Sequence, residues 1–332
     1  MERALITGGT GQIAAYLAQH LIDKGIHVFL STRGSGIVEN RFWRLKKLGI
    51  QEKVVIVNMD LNSYDSIDRT LNVISPNYIF HAAASSYIGD SFKDEFGCFE
   101  SNFAVTHRLL DLCFQSDSSS KFIFFGSSEQ FGNATTSPQD ETTAFRPRNA
   151  YGIAKTASFE LVKFYREHHK RFACSAILFN QESPLRDPAF VSRKISLGVV
   201  QARLFNRSFS LGSLDATRDW SHARDTVEAL YLMAKQDKAD DFVLASGINH
   251  SVGDFLRTAS VVIHGSDQYN WNLVKWDHEA HTRPIEAIPL VGNPAKARTI
   301  LGWSPKISFD KLVTEMVESD WDDAKDMLKE HW

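Results

Sequence analysis

Tyr151 and Lys155, four residues apart, are the pair in this sequence best suited to chemistry. On a helix that spacing puts both side chains on one face. An ammonium beside a phenol favours phenolate, so the pair can act as a general base near neutral pH. The spacing alone is common. It gains specificity from Ser127-Ser128-Glu129, which follows the apolar run Lys121–Phe125 and adds a hydroxyl and a carboxylate at the end of an expected strand.

The elements that must position these groups begin at the N-terminus. Ala4 to Ile6 is an apolar run of strand length, and Thr7-Gly8-Gly9-Thr10-Gly11-Gln12-Ile13-Ala14 follows it. Ile13, Leu17, Leu21 and Ile22 then recur at helical spacing. Strand, glycine turn and helix together are the context for dinucleotide binding. Gly8 permits the tight turn, Gly11 lets the backbone approach a pyrophosphate, and Ala14 keeps the third position small.

Further strands are expected at His27–Ser31, 53–58, Tyr78–Phe80, Lys121–Phe125 and Ala173–Phe179, with helices at 38–48, 94–116 and from Tyr151 to His169. Phe99, Phe103, Leu109, Leu110 and Cys113 mark the buried side of the second of these helices. Repeated β-α units imply an α/β fold, a doubly wound parallel sheet of Rossmann type with a ligand crevice at the strand C-termini. Arg33 and Ser35, after the second strand, favour the 2′-phosphate of NADP over the bare ribose of NAD. Asp60, just past the third strand with Leu61, suits either the adenine amino group or the cap of a helix starting near Tyr64. His81 reads as a packed histidine, and Ala82, Ala83 and Ala84 leave room for a cofactor against backbone. Farther along, Lys194, Arg218 and Arg283 would suit a diphosphate if the fold brings them together.

Composition excludes several classes. The 332 residues are 43% hydrophobic, enough for one large α/β domain with an attached lobe, and the net charge is -3. There is no basic stripe for nucleic acid and no polybasic membrane anchor. No apolar run approaches membrane-spanning length, and the chain enters a strand without a signal peptide. Cys98, Cys113 and Cys174 are odd in number and widely spaced, as reduced core thiols of a cytoplasmic protein would be.

These motifs resemble the extended short-chain dehydrogenase/reductases that act on nucleotide sugars, and within them the GDP-mannose 4,6-dehydratases. The likeness covers almost the whole chain. Thr7 to Ala14 is similar to the family's Thr-Gly-x-x-Gly-x-x-Gly turn, and Tyr151 with Lys155 to its Tyr-x-x-x-Lys. Ile177-Leu178-Phe179-Asn180-Gln181-Glu182-Ser183-Pro184, Phe190 to Ile195, Leu211 to Trp220 and Arg283-Pro284-Ile285-Glu286 resemble longer stretches particular to the dehydratases. The resemblance implies catalysis by Ser127, Glu129, Tyr151 and Lys155. It places a tightly bound NADP, regenerated each turnover, among Thr7, Gly8, Gly11, Gln12, Ile13, Arg33, Ser35, Asp60, Leu61, Ala82, Ala83, Ala84, Tyr151 and Lys155. It places the GDP-sugar among Ser86, Asn180, Val191, Lys194, Arg218, Arg283 and Glu286, and it implies no metal.

The resemblance divides the chain into a cofactor domain (1–182, about 222–249 and 287–300) and a smaller, mostly C-terminal substrate lobe (about 183–221, 250–286 and 301–332). It implies a homodimer, with a tetramer as the alternative. Departures from the family pattern flank the sugar pocket: Gln181 for His, Leu185 for Arg, Asp187-Pro188 for Gly-Glu and Tyr87 for His. They keep a related GDP-sugar, such as GDP-mannoheptose, open as substrate. Epimerase or 4-keto reductase activity on the same scaffold and a non-catalytic NADP sensor are the other readings. The retained Glu129 argues against the first two, and the retained Tyr151 and Lys155 against the third.

Overall fold

The structure is a computed structural model and describes residues 1–34, 41–86, 91–116, 119–265, 273–276 and 288–330. Its strands are β1 (Arg3–Thr7), β2 (His27–Thr32), β3 (Val55–Asn58), β4 (Tyr78–His81), β5 (Lys121–Phe125), β6 (Ala173–Leu178), β7 (Asn180–Glu182), β8 (Phe209–Leu211), β9 (Thr217–His222), β10 (Phe242–Leu244), β11 (Asn249–Ser251) and β12 (Val274–Trp276). Seven form one parallel sheet in the order β10-β6-β5-β4-β1-β2-β3. The chain runs outward from β1 to β3, then crosses back to β4 on the other side of β1. That reversal opens a crevice between the C-terminal ends of β1 and β4.

The helices are α1 (Gln12–Asp23), α2 (Trp43–Lys47), α3 (Tyr64–Ile74), α4 (Glu95–Phe99), α5 (Val105–Ser116), α6 (Ala150–Glu167), α7 (Val191–Phe205), α8 (Ala223–Lys235), α9 (Val252–His264) and α10 (Phe309–Glu330). Successive strand residues point to opposite faces, so a strand covered on both sides must be apolar throughout. Ala4 and Ile6 pack with α1 and α8 on one face, while Leu5 packs with α3, α5 and α6 on the other. Ile123 and Phe125 join the first cluster, Phe122 and Phe124 the second.

A third cluster forms around Trp220 of β9 with Phe255, Val313 and Met316, between β9 and the helices α7, α9 and α10. The Trp220 ring meets Phe255 edge-on at 5.2 Å and stacks on Phe309 at 5.9 Å. β7 pairs with β9, and β9 with β11. The chain leaves the main sheet at Leu178 and enters this smaller sheet at Asn180, so residues 180–182 stand at the crevice. Asp219 of β9 joins the two sheets: its carboxylate accepts from Ser246 N–H and Oγ, Gly247 N–H and Gly292 N–H at 2.5–3.0 Å.

Three expectations are corrected. The helix placed at 38–48 is confined to Trp43–Lys47 in the described part, with residues 38–40 outside it. The third strand begins at Val55, because Gln51–Lys53 form a 3-10 turn. The helix over 94–116 is interrupted by a π-helical turn at Glu100–Ala104. The extra residue per turn rotates the helix face, and Phe99, expected inside, is 37% exposed. Among the described residues no helix is long and apolar enough to cross a membrane.

Candidate active site

The glycine turn is shaped by what surrounds it. Gly8 has φ +70, and a Cβ there would lie 2.9 Å from the Cα and N of Ala83. The turn after β1 therefore packs directly on the segment after β4. Gly11 N–H donates to Gly8 O at 3.0 Å, and Gly11 is the N-cap of α1. The first N–H groups of a helix have no partner within it, so α1 presents donors to an anion in the cleft. Gly8, Gly11, Gln12, Ile13, Ala82, Ala84 and Ser86 line that cleft.

Thr7 lies beneath the cleft, in a chain of hydrogen bonds. Thr106 Oγ1 donates to Asn102 O at 2.6 Å, so it accepts from His81 Nε2–H at 3.0 Å. His81 Nδ1 then accepts from Thr7 Oγ1 at 2.8 Å, and Ala83 N–H donates to Thr7 Oγ1 at 3.1 Å. His81 is fully buried, and burial, with the charge of Lys155, drives its pKa down to about 3. From β4 it is a neutral girder between Thr7 of β1 and Thr106 of α5. The side chain of Gln12 is also committed: Nε2 donates to Gln181 O at 2.7 Å and Oε1 accepts from Ser183 Oγ at 2.6 Å. This ties α1 to the segment after β7.

Arg33 is exposed just past β2. Asp60 accepts from Asn62 N–H at 3.0 Å, and the cap of α3 is Ser63, whose Oγ accepts from Ser66 N–H at 3.2 Å. The capping alternative for Asp60 is therefore not realised. The Leu61 side chain is in the core, leaving only its backbone for a cofactor. Ser35, Tyr87, Arg283 and Glu286 lie outside the described residues.

Ser127, Glu129, Tyr151 and Lys155 meet in the same cleft, an open space of about 990 Å³ counting the solvent at its mouth. Ser127 caps a 3-10 turn at Ser128–Gln130, its Oγ accepting from Glu129 N–H at 3.3 Å and its N–H donating to Gln130 Oε1 at 2.7 Å. Asn149 orients the carboxylate: its Nδ2 donates to Glu129 Oε2 at 2.7 Å while its Oδ1 caps α6 through Gly152 N–H at 2.7 Å. One side chain thus couples the acid to the helix carrying Tyr151. The sequence reading missed this role of Asn149, although its place before the helix was a legible capping signal.

Gly152 has a separate constraint. A Cβ there would lie 2.5 Å from Glu129 O. Gly152→Ala is expected to push the Glu129 turn away from α6 and lower kcat by about 10²-fold, as a displacement near 1 Å at reacting groups does. A steady-state assay of the variant, with its Tm, checks this.

The protein alone does not lower the Tyr151 phenol. Burial pushes it up to about 12, while a hydrogen bond to Ser127 and the charge of Arg186 work in the other direction. Lys155 Nζ donates to Phe125 O at 2.8 Å and lies 5.8 Å from the centre of the Tyr151 ring. A buried ammonium takes the nearest carbonyl, and burial pulls its pKa down to about 7. In the unfolded chain Lys155 stays protonated up to the ordinary 10.5. Between those values the unfolded chain holds the extra proton, so this residue makes stability rise with pH. The Tm advantage of Lys155→Met over the wild type, both free of cofactor, is expected to be greatest below about pH 7 and to shrink toward pH 10.5.

Asn180 and Gln181 of β7, with Arg186 and Phe190 beyond it in the chain, complete the lining. Arg186 is a further residue that the sequence reading passed over. Gln181, one of the departures from the family pattern, is 3% exposed; it accepts from Thr226 Oγ1 and donates to Phe179 O at 3.2 Å. Leu185, another departure, is 1% exposed in the core beside Arg44, whose guanidinium donates to Leu185 O at 2.7 Å and Thr10 O at 2.8 Å. Lys194 is exposed on α7, Val191 is partly buried at its start, and Arg218 lies in β9; none of the three lines the cleft.

A sequence profile described as GDP-mannose 4,6 dehydratase matches residues 5–316. The chain belongs to the GDP-mannose 4,6-dehydratase family. It is 35% identical to the GDP-mannose 4,6 dehydratase of Dictyostelium discoideum, over 96% of this chain and 95% of the other. It is 37% identical to that of Homo sapiens, over 96% and 91%. Among solved structures, UDP-glucose 4-epimerase of Thermotoga maritima superposes with a TM-score of 0.82 at 21% identity, covering 97% of this chain and 99% of that one. The two chains thus share their fold.

Proposed function

We propose that this member of the family is a GDP-sugar 4,6-dehydratase that converts GDP-mannose to GDP-4-keto-6-deoxymannose with NADP. The carrying observation is Glu129: a second acid/base group, oriented by Asn149, lines the same cleft as Tyr151 and Ser127. Oxidation at C4 alone needs one base. Elimination across C5 and C6 needs another group to take the C5 proton.

The residues fit a nicotinamide dinucleotide. The glycine turn has no room for side chains at Gly8, α1 directs N–H donors at a pyrophosphate, and Ala82 and Ala84 keep the wall after β4 low. When bound, the nicotinamide supplies reversible hydride storage, which no side chain can provide. Tyr151 takes the proton of the C4 hydroxyl, assisted by Ser127. The resulting 4-keto group acidifies C5–H, and Glu129 removes that proton. Hydroxide leaves C6 as water, protonated by Glu129 or Ser127. Lys194, Arg218, Arg283 and Glu286, with Val191, are proposed to hold the GDP moiety beyond the cleft, and Asn180 and Ser86, which line it, to face the sugar.

Leu185 is buried in the core, and the Gln181 amide is engaged by Thr226 and Phe179 O, which supports the family's GDP-mannose over a heptose. Incubating the protein with GDP-mannose, GDP-mannoheptose and UDP-glucose tests the choice; preference for the heptose would reverse it. Arg33, at the end of β2, is proposed to pair with the 2′-phosphate. Arg33→Gln is expected to weaken NADP binding by about 10–100-fold, the worth of a charge-assisted contact, and to leave NAD binding unchanged. Calorimetric titration with both dinucleotides checks it. A homodimer in solution and a cytoplasmic location remain parts of this reading, the first tested by sedimentation.

A further inference from the structure

Arg44, on α2, does not line the cleft, and its side chain is only 13% exposed. Its guanidinium lies 4.5 Å from the centre of the Trp43 ring, and the exposed carboxylate of Asp187 stands off at 3.9 Å. Its close bonds go to backbone instead: Nε donates to Leu185 O at 2.7 Å and Nη1 to Thr10 O at 2.8 Å. Taking a cation out of water is costly unless it is well bonded. Here the bonds join two parts of the chain that are far apart in sequence.

The two carbonyls hold the same place in two turns. Gly8 to Gly11 is a four-residue turn closed by Gly11 N–H on Gly8 O at 3.0 Å. Ser183 to Arg186 is another, closed by Arg186 N–H on Ser183 O at 3.0 Å. Thr10 is third in the first turn and Leu185 is third in the second. In a planar trans peptide the C=O and N–H point in opposite directions. The last peptide of each turn is therefore held from both ends, with its N–H turned in to close the turn and its C=O turned out onto Arg44. Gly8, Gly11 and Arg186 all line the cleft, so one side chain outside the lining sets the spacing of two turns within it.

We propose that Arg44 is a positioning residue for the dinucleotide: it fixes the glycine turn and the 183–186 turn relative to each other before the cofactor binds. The proposal rests on the cleft holding a nicotinamide dinucleotide. Arg44→Lys keeps the charge, but its one nitrogen cannot stand at both donor positions; Arg44→Met loses charge and bonds together. Each variant is expected to raise the NADP+ dissociation constant about tenfold, mostly through faster release, because binding must then order the turns. NAD+ should weaken by the same factor. Gln12 still ties α1 to Gln181 O and Ser183 Oγ, so the loss is partial.

Calorimetric titration of both variants with both dinucleotides reads the affinities. Hydrogen exchange of the cofactor-free protein reads the turns, and in Arg44→Lys it is expected to speed up at 8–11 and 183–186 together. Wild-type affinity in Arg44→Lys would make Arg44 a plain counter-charge, and a loss confined to NADP+ would make it a contact of the 2′-phosphate; either overturns the proposal. So does faster exchange confined to 43–47, the mark of a residue that only docks α2. A wild type that shows the coupled exchange but takes up neither dinucleotide would instead refute the cofactor reading and leave the coupling of the two turns standing.

Discussion

Glu129→Gln is expected to abolish dehydration, with kcat falling about 10²–10⁴-fold, the worth of one acid/base group. The substitution is close to isosteric. Gln can still accept from Asn149 Nδ2, which now donates to Glu129 Oε2 at 2.7 Å, and the backbone contact with Ser127 Oγ is untouched. What disappears is the ability to take a proton. Oxidation at C4 depends on Tyr151, so the variant is expected to convert bound GDP-mannose to its 4-keto form and stop there. The absorbance of reduced nicotinamide would rise and persist, and no 6-deoxy product would form. Full dehydratase activity in this variant would assign the C5 proton to another group.

The second large effect is at the phenol. Tyr151→Phe keeps the buried ring and removes the hydroxyl that bonds to Ser127. Turnover is expected to fall by about 10²–10⁴-fold. Here the first step fails, so no reduced nicotinamide accumulates, and the two variants differ in kind rather than degree. Cofactor binding should survive in both, because the glycine turn and the N–H groups at the start of α1 are unchanged. Rapid mixing with GDP-mannose, followed by absorbance and product analysis, distinguishes them. Reduction of nicotinamide by Tyr151→Phe at the wild-type rate would remove Tyr151 from the chemistry.

Much of the scaffold could be read from local pattern. The apolar strands, the glycine turn and the order of β-α units each follow from short stretches, and the sheet order places their ends together. Ser127, Glu129, Tyr151 and Lys155 were legible because each stands at the end of a strand or the start of a helix. The relation between Lys155 and Tyr151 was not. Helical spacing gives a shared face, but the ammonium is oriented by Phe125 O, which belongs to β5 and lies thirty residues away.

The strands of the smaller sheet were hidden for a similar reason. β9 and β11 are mostly polar, and their stability comes from pairing with each other and from Asp219 reaching Ser246, Gly247 and Gly292. Asn102 lies in the π-turn, which no hydrophobic periodicity reports, and its carbonyl accepts from Thr106 in the first turn of α5. Gln181 and Leu185 were read as changes flanking the sugar pocket. Leu185 fills the core, whereas Gln181 lines the cleft with its amide bonded to Thr226 and to the Phe179 carbonyl.

The central claim is that hydride leaves C4 and returns to C6 of the same sugar, with proton transfers by Tyr151 and Glu129. GDP-mannose deuterated at C4, given to the protein without added NADPH, tests it most directly. The expected product is GDP-4-keto-6-deoxymannose carrying the deuterium at C6, formed over many turnovers from the cofactor the protein already holds. A product that forms only with stoichiometric NADPH, or that has lost the deuterium, would contradict it.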